Sequence, residues 1–309
     1  MKIGWGLLAL AASACAEAGS STDAATGDDD IDAANGGQPD AAASTPDADV
    51  PPIDATPPPP DAPTVGCGDG VITAPETCDD GAVPPVSGDG CSDTCAVEPY
   101  SKCTGEPSAC APIKILYAPS EADDAVYRAA IGAITGGAVD YADAIAATPD
   151  AATLAGYDCI YTWANQAYNN PTLYGDNLAD FVDAGGVVVL GVFTTYTSGN
   201  SMAGRIMTTG YSPVISPLGG NHFLTSTYAG DGATFLHNAV TTYECQYRDT
   251  LTLQGTGVTD GTYADAEIGH AYRPDLRVVY SNGSGASQLG CTGDWARLVA
   301  NACAAAHLP

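Results

Sequence analysis

Cysteine and aspartate carry most of the latent chemistry in this 309-residue chain, which holds eleven cysteines. Cys67, Cys78, Cys91, Cys95, Cys103 and Cys110 crowd into residues 67–110; Cys159, Cys245, Cys291 and Cys303 are spread through the remainder, and Cys15 stands apart. The crowded segment has few apolar side chains, so two or three disulfides must hold it together. Zinc is the competing use of cysteine, but no paired C-x-x-C arrangement is present. Spacing alone does not choose among the disulfide connectivities. Asp69, Asp79, Asp80, Asp89 and Asp93, with Glu76, sit in Gly-rich turns of the same segment. Hard oxygen donors in such turns could cage Ca2+; Asp-Gly is equally the ordinary chemistry of turns, and the EF-hand spacing is absent. His222, His237 and His270 lack H-E-x-x-H or any close metal-ligand spacing. His270 alternates with Ile268 and Tyr272 on a strand face and reads as packing. His237, at a turn after Phe235-Leu236, is the histidine whose role stays open.

The elements that must position these residues begin at Ile113, where apolar runs appear. Ile113–Ala118 reads as a buried strand, and Ser120-Glu-Ala-Asp123 resembles a capping box with Asp in the last place. Tyr127, Ala130, Ile131 and Ile134 recur at helical spacing up to Gly136-Gly137. Val139–Tyr141 is a short strand, Thr148–Leu154 a weak helix, and Cys159–Trp163 a third strand. Tyr174, Leu178, Phe181 and Val182 line a further helix, with Asp180 and Asp183 on its solvated side, before Gly185-Gly186 and the strand Val187–Val192. Strands and helices alternating in this way predict an α/β fold, a doubly wound and mostly parallel sheet. Further strands are expected over Tyr247–Leu253, Glu267–Tyr272 and Arg277–Tyr280, and a last helix from Asp294 carrying Trp295, Leu298, Val299 and Cys303. If that helix is continuous, Cys291 and Cys303 lie ~15 Å apart at ~1.5 Å rise per residue. A disulfide needs Cα atoms within ~7 Å, so each should bond to Cys159 or Cys245 instead.

The formal charge is −28, from 37 acidic against 9 basic residues. Such a chain is repelled by nucleic acid and poorly drawn to anionic headgroups. Met1-Lys2 and the apolar Ile3–Ala11 read as an export signal too short to remain as a membrane span, giving residues 1–14 as signal peptide. Ala12-Ser13-Ala14-Cys15 resembles a bacterial lipobox, which implies acylation of Cys15; an ordinary Ala-x-Ala cleavage site would leave Cys15 incidental. Setting Cys15 aside leaves ten of the eleven cysteines, an even number, which favours the lipoprotein. Ala16 after the cysteine resembles the pattern of lipoproteins sent to the outer membrane. Residues 15–66 are then an Ala/Asp/Pro tether without the apolar side chains to offset ordering entropy, with a reach on the order of 150 Å at most.

Within residues 67–111, CGDGVI, ETCDDG and DGCSDTC with a final Cys resemble the Myxococcus cysteine-rich repeat, departing in an AVPPVSG insert. That resemblance implies an extracellular module. Residues 112–309, through KILYA, YDCIYTW, LADFVDAGGVVVLGVF, Gly204-Arg205 and WARLVANA, resemble the class I glutamine amidotransferase-like fold and its non-catalytic ThuA-like relatives. The catalytic version of that fold has a G-x-C-x-G elbow after the strand. Here the stretch is Gly191-Val192-Phe193-Thr194-Thr195, and no G-x-S-x-G replaces it. Cys159, inside a strand, reads as a disulfide half.

A ligand site in this fold is expected at the carboxyl ends of the parallel strands. The loops there offer Trp163, Asn165, Tyr168, Asn169 and Asn170, then Thr194, Thr195, Tyr196 and Ser198, with Arg205 nearby. Of these, Trp163, Asn165, Tyr168, Thr194, Tyr196 and Arg205 are the candidate ligand contacts; aromatic and amide groups suit a glycan, a cell-wall fragment or a protein partner. The expected protein is a lipid-anchored surface lipoprotein of a Gram-negative bacterium with a non-catalytic binding domain. An envelope hydrolase acting on a glycan or peptide through His237 or Asp side chains in the loop crevice, and a purely structural surface component, are the alternatives.

Overall fold

The computed structural model describes residues 66–196, 199–286 and 289–308. The signal peptide, Cys15, nearly all of the tether, and Ser198 lie outside the described residues. The described residues all fall in one compact unit, so the cysteine segment and the α/β part belong to the same body.

The cysteine segment ends in a hairpin of β1 (Ser101–Thr104) and β2 (Ala109–Pro112). Its ladders are few, and three disulfides do the work of a core: Cys67–Cys95, Cys78–Cys91 and Cys103–Cys110. It is joined to the α/β part by Tyr100, whose hydroxyl donates to Asn301 Oδ1 (2.6 Å), and by Lys102 Nζ on Asp158 (2.7 Å).

The chain then runs β3 (Ile115–Tyr117), α1 (Ala125–Thr135), β4 (Val139–Tyr141), α2 (Ala151–Leu154), β5 (Cys159–Thr162), α3 (Pro171–Asp183) and β6 (Val187–Leu190). An excursion of short strands follows: β7 (Val214–Ile215), β8 (Asn221–His222), β9 (Ser226–Thr227), β10 (Tyr243–Cys245), β11 (Arg248–Asp249), β12 (Thr252–Leu253) and β13 (Val258–Thr259). It closes with β14 (His270–Tyr272), β15 (Val278–Ser281), β16 (Cys291–Gly293) and α4 (Trp295–Ala304). No helix among the described residues is long and apolar enough to cross a membrane.

Seven strands form the central sheet in the order β13-β14-β15-β6-β5-β3-β4. The pairs from β15 to β4 are parallel, and β13-β14-β15 are antiparallel. Every residue of β5, β6 and β15 is buried, as expected of strands covered on both faces. The winding explains the cover. From β3 the chain steps one way to β4 and then back past β3 to β5 and β6. Right-handed crossovers in opposite directions put α1 on one face and α2 with α3 on the other, and α1 packs on α4 while α2 packs on α3.

Local chemistry moves some boundaries. Helix α1 is capped by Asp124, whose Oδ1 accepts from the Tyr127 N–H (2.9 Å), four residues later than a box on Ser120 requires. Ser120 instead extends the sheet in a parallel bridge to Ala164 and donates to Gln166 O (2.6 Å). The strand expected over Tyr247–Leu253 is split. Arg248–Asp249 pair with β8 and Thr252–Leu253 with β7, because the Asp249 side chain turns inward and the Leu251 N–H donates to Glu267 Oε1 (3.0 Å).

Two further disulfides tie the ends of this fold. Cys159 on β5 bonds Cys303 on α4, and Cys245 on β10 bonds Cys291 on β16, so Cys291 and Cys303 are not joined to each other. Cys159–Cys303 closes a loop across 144 residues, and restricting so long an unfolded loop is worth about 2–5 kcal/mol. Replacing both cysteines by alanine should therefore lower the denaturant midpoint by that equivalent under oxidising conditions. An unchanged midpoint would contradict the cross-link.

Candidate functional site: the turn after β6

Strand β6 ends at Leu190 and the chain reverses over Gly191-Val192-Phe193-Thr194-Thr195 at the carboxyl edge of the sheet. Gly191 is required by contact: a Cβ there would stand 2.7 Å from the Trp163 Cβ and 3.0 Å from Gly283 O. At the centre of the turn Phe193 adopts φ 65°, a region a bulky side chain rarely enters. Backbone of this kind persists only where its surroundings hold it. The holder is Asp249.

Asp249 is fully buried. Its Oδ2 accepts from the Phe193 N–H (2.9 Å), Thr195 Oγ1 (2.6 Å) and the Tyr280 hydroxyl, and its Oδ1 from the Asn221 amide. Asn282 fixes the Asp249 backbone from both sides, accepting its N–H at 2.7 Å and donating to its carbonyl at 2.9 Å. The turn, β8, β11 and β15 therefore converge on one carboxyl group. Burial pushes its pKa up to about 6, against the lowering effect of the Thr195 and Tyr280 hydroxyls and the Phe193 N–H.

Beside the turn lies a cavity of about 220 Å³ whose lining includes Thr195, Met202, Met207, Val214, Ile215 and Ser216. Thr195 joins it to Asp249. Ser216 is 6% exposed, and its Oγ has no hydrogen-bond partner among the described residues.

The expected ligand contacts are dispersed by the fold. Trp163 is fully buried and its indole N–H donates to the Tyr117 hydroxyl (3.1 Å); Tyr168 is buried against Thr162 Oγ1 (3.0 Å). Both fill the place where the strand order reverses, between the ends of β3 and β5, instead of lining an opening there. Asn165 is half-buried and held by Glu121, and Tyr196 packs on Phe193 with ring centroids 5.6 Å apart. Arg205 lies on the surface of α3 among Asp176, Asp180 and Asp183. Of the six, Thr194 lines the cavity, although its hydroxyl donates to Gly191 O (2.8 Å).

The five aspartates of the cysteine segment are not gathered at one point. Asp79 is buried and accepts from the N–H groups of Gly68 (2.9 Å), Asp69 (3.1 Å) and Gly81 (2.8 Å). Asp69, Asp80 and Asp89 each accept from the N–H two residues on, at Val71, Ala82 and Cys91, and Asp93 is exposed. Among the described residues the grouping of metal-ligand type is Glu76, Asp79 and Cys95, and the Cys95 sulfur is committed to Cys67. These turns use aspartate as a backbone acceptor.

His237 sits in a 3-10 turn, Phe235–His237, with its side chain 4% exposed and Nδ1 3.1 Å from Asp260 Oδ2. Asp260 also accepts from Ala233 N (2.7 Å) and from Thr234. Its pKa is lowered: burial opposes the shift, and the bonds from His237, Ala233 and Thr234 outweigh it. The imidazole is stacked on Tyr228 (4.9 Å) and closed in by Gly232 and Gly261, at either of which a Cβ would strike the ring. His270, buried beside it at 5.1 Å, has its pKa held well below the ordinary histidine value by burial. Both imidazoles are buried, and the geometry of the pair is that of a brace for the 231–261 loops. A further cleft, about 320 Å³, lies at the opposite, amino edge of the sheet between Lys102, Asp158, Phe181 and His307.

What the strand order and the turn define is an open, doubly wound α/β domain with a phenylalanine at the centre of its elbow. No protein-family model matches the chain, and no curated protein matches it. Among solved structures it is similar to a cytoplasmic protein of Salmonella typhimurium, at 13% identity and TM-score 0.49 over 62% of this chain and 98% of that one. It is also similar to a ThuA-like protein of Bacteroides uniformis (13%, TM-score 0.42, 64% and 94%). A glutamine amidotransferase of Thermotoga maritima is matched at 9% and TM-score 0.36, over 54% and 74%.

Two measurements follow from the site. Because the Asp249 pKa is higher folded than unfolded, its contribution is complete below about pH 4 and is lost as pH rises through about 6. The loss is on the order of 3 kcal/mol at ~1.4 kcal/mol per unit. Asp249→Asn should flatten that descending limb in unfolding free energy measured from pH 4 to 7; an unaltered limb would contradict the assignment. Asp260→Ala should cost about 2–4 kcal/mol by orphaning His237 and the Ala233 and Thr234 donors. A loss below ~0.5 kcal/mol, the level of an ordinary surface change, would contradict the bracing role.

Proposed function

We propose that this chain is an exported lipoprotein, acylated at Cys15 and displayed on its acidic tether, whose α/β domain binds a ligand at the turn after β6 without transforming it. The observation that carries the binding reading is Phe193. The strained elbow is built and held, and the side chain at its apex is a hydrocarbon that can neither attack a substrate nor move a proton. Phe193 packs instead on Tyr196 and Tyr247 (6.1 Å). The hydroxyls beside it are committed, Thr194 to Gly191 O and Thr195 to Asp249. His237, the histidine offered for an envelope hydrolase, is buried elsewhere, stacked on Tyr228 and bonded to Asp260. A rigid turn flanked by a cavity is what a binding site requires, since a preorganised site loses little entropy on association.

Membrane attachment supports display at the outer membrane or cell surface, since several acyl chains on one cysteine anchor stably. Cys15→Ser should move the protein from the membrane to the soluble fraction of fractionated cells; unchanged partition would overturn the lipoprotein reading. For the domain, the full chain should be screened by thermal unfolding against glycans, cell-wall fragments and peptides, recovering each ligand afterwards. A ligand bound only by the native state raises the midpoint by mass action. The expected result is a shift with the ligand returned chemically unchanged; a ligand returned cleaved would overturn the non-catalytic reading.

A further inference from the structure

We infer that the cavity beside the elbow takes a small uncharged molecule carrying a hydroxyl or primary amide on an apolar body. This inference rests on the binding role proposed above and narrows its chemistry. None of the residues lining the cavity is ionisable. The scarcity of charge extends beyond the wall: from Ile206 to Gly230 the chain has no Asp, Glu, Lys or Arg, and its one histidine, His222, is turned to Glu267 (2.8 Å), in a protein of net charge −28. Ile215, on the cavity wall, is 44% exposed, and Leu218, Phe223 and Leu224 of the same stretch are 91%, 56% and 81% exposed. A charged ligand entering there would lose its hydration with no counter-ion to receive it. Asp249 does not supply one, because its Oδ2 is taken by Thr195, Tyr280 and the Phe193 N–H, its Oδ1 is turned to Asn221, and Thr195 stands between the carboxyl group and the cavity.

The polar part of the ligand is set by two hydroxyls. Thr195 gives its hydrogen to Asp249, so toward the cavity it can only accept. Ser216 Oγ is buried and has neither bond made among the described residues, so it can donate, and a buried hydroxyl left unpaired is unfavourable. One ligand group that donates to Thr195 and accepts from Ser216 satisfies both, and a hydroxyl or a primary amide does this while a carboxylate or an ammonium cannot. The remaining wall of Met202, Met207, Val214 and Ile215 suits an apolar body, with the two thioethers able to adjust to its shape.

The protein carries its own reporters. It has three methionines, and two of them, Met202 and Met207, line this cavity. The full chain labelled with 13C at the methionine methyls should be titrated with four probes of one size: butyramide, 1-butanol, butyrate and butylammonium. The expected result is saturable movement of the Met202 and Met207 methyl signals with butyramide and 1-butanol, and at least tenfold weaker response to the two ions. Ser216→Ala should weaken the neutral probes by roughly fivefold or more, and Ser216→Cys, which keeps a weak donor in similar volume, should recover part of that loss. Ions moving these signals as readily as the neutral probes would overturn the ligand class while leaving the site standing. If no probe moves either methyl, both the inference and the placement of the binding site at this turn fall.

Discussion

One buried carboxyl group organises the functional edge of this domain. Asp249 takes the N–H of a residue that cannot relax by itself, Phe193 at φ 65°, and binds it to β15 through Tyr280 and to β8 through Asn221. Without that acceptor the turn would hold a buried, unpaired donor in a strained conformation, and both costs favour opening it. With it, the turn becomes part of the sheet's core. The split between β11 and β12 follows from the same requirement, since the strand must break for the Asp249 side chain to reach inward.

A second economy runs through the remainder. A chain with so few apolar residues at its amino-terminal side uses covalent links and backbone-accepting aspartates where a core would be too small. Asp79 gathers three N–H donors in the cysteine segment much as Asp249 gathers the turn. Asp260 does the same for the loop around His237. A few acidic side chains here, Asp79, Asp249 and Asp260 among them, are internal scaffolding and not surface charge, so a cluster of aspartates does not by itself mark a metal site.

The α/β architecture was legible because β5, β6 and α3 are long and strongly patterned: Cys159–Thr162 and Val187–Leu190 are apolar runs between Gly turns, and α3 carries a clear buried stripe. Helix α4 and its start at Asp294 were equally readable. The exclusion of a Cys291–Cys303 bond came from helix geometry alone. The site was less legible. Trp163 and Tyr168 look like loop aromatics in sequence, yet long-range packing between β3, β5 and α3 buries them. Arg205 has the composition of a ligand clamp, but three carboxylates spaced along α3 attract it first. Asp249 gave no local signal, because its meaning depends on Phe193, more than fifty positions earlier, and on Tyr280, about thirty later. The pattern that could have drawn attention to the cavity is the long run from Ile206 to Gly230 without Asp, Glu, Lys or Arg in so acidic a chain.

The central claim is that the turn after β6 is a rigid platform held by Asp249. Native-state hydrogen exchange at the Phe193 amide tests it most directly, because exchange free energies separate local openings from global unfolding. The amide should exchange only at the free energy of global unfolding, together with those of β5 and β6. Exchange at the low free energy of an ordinary surface loop would contradict the claim, leaving the turn a mobile segment and the cavity beside it without a fixed wall.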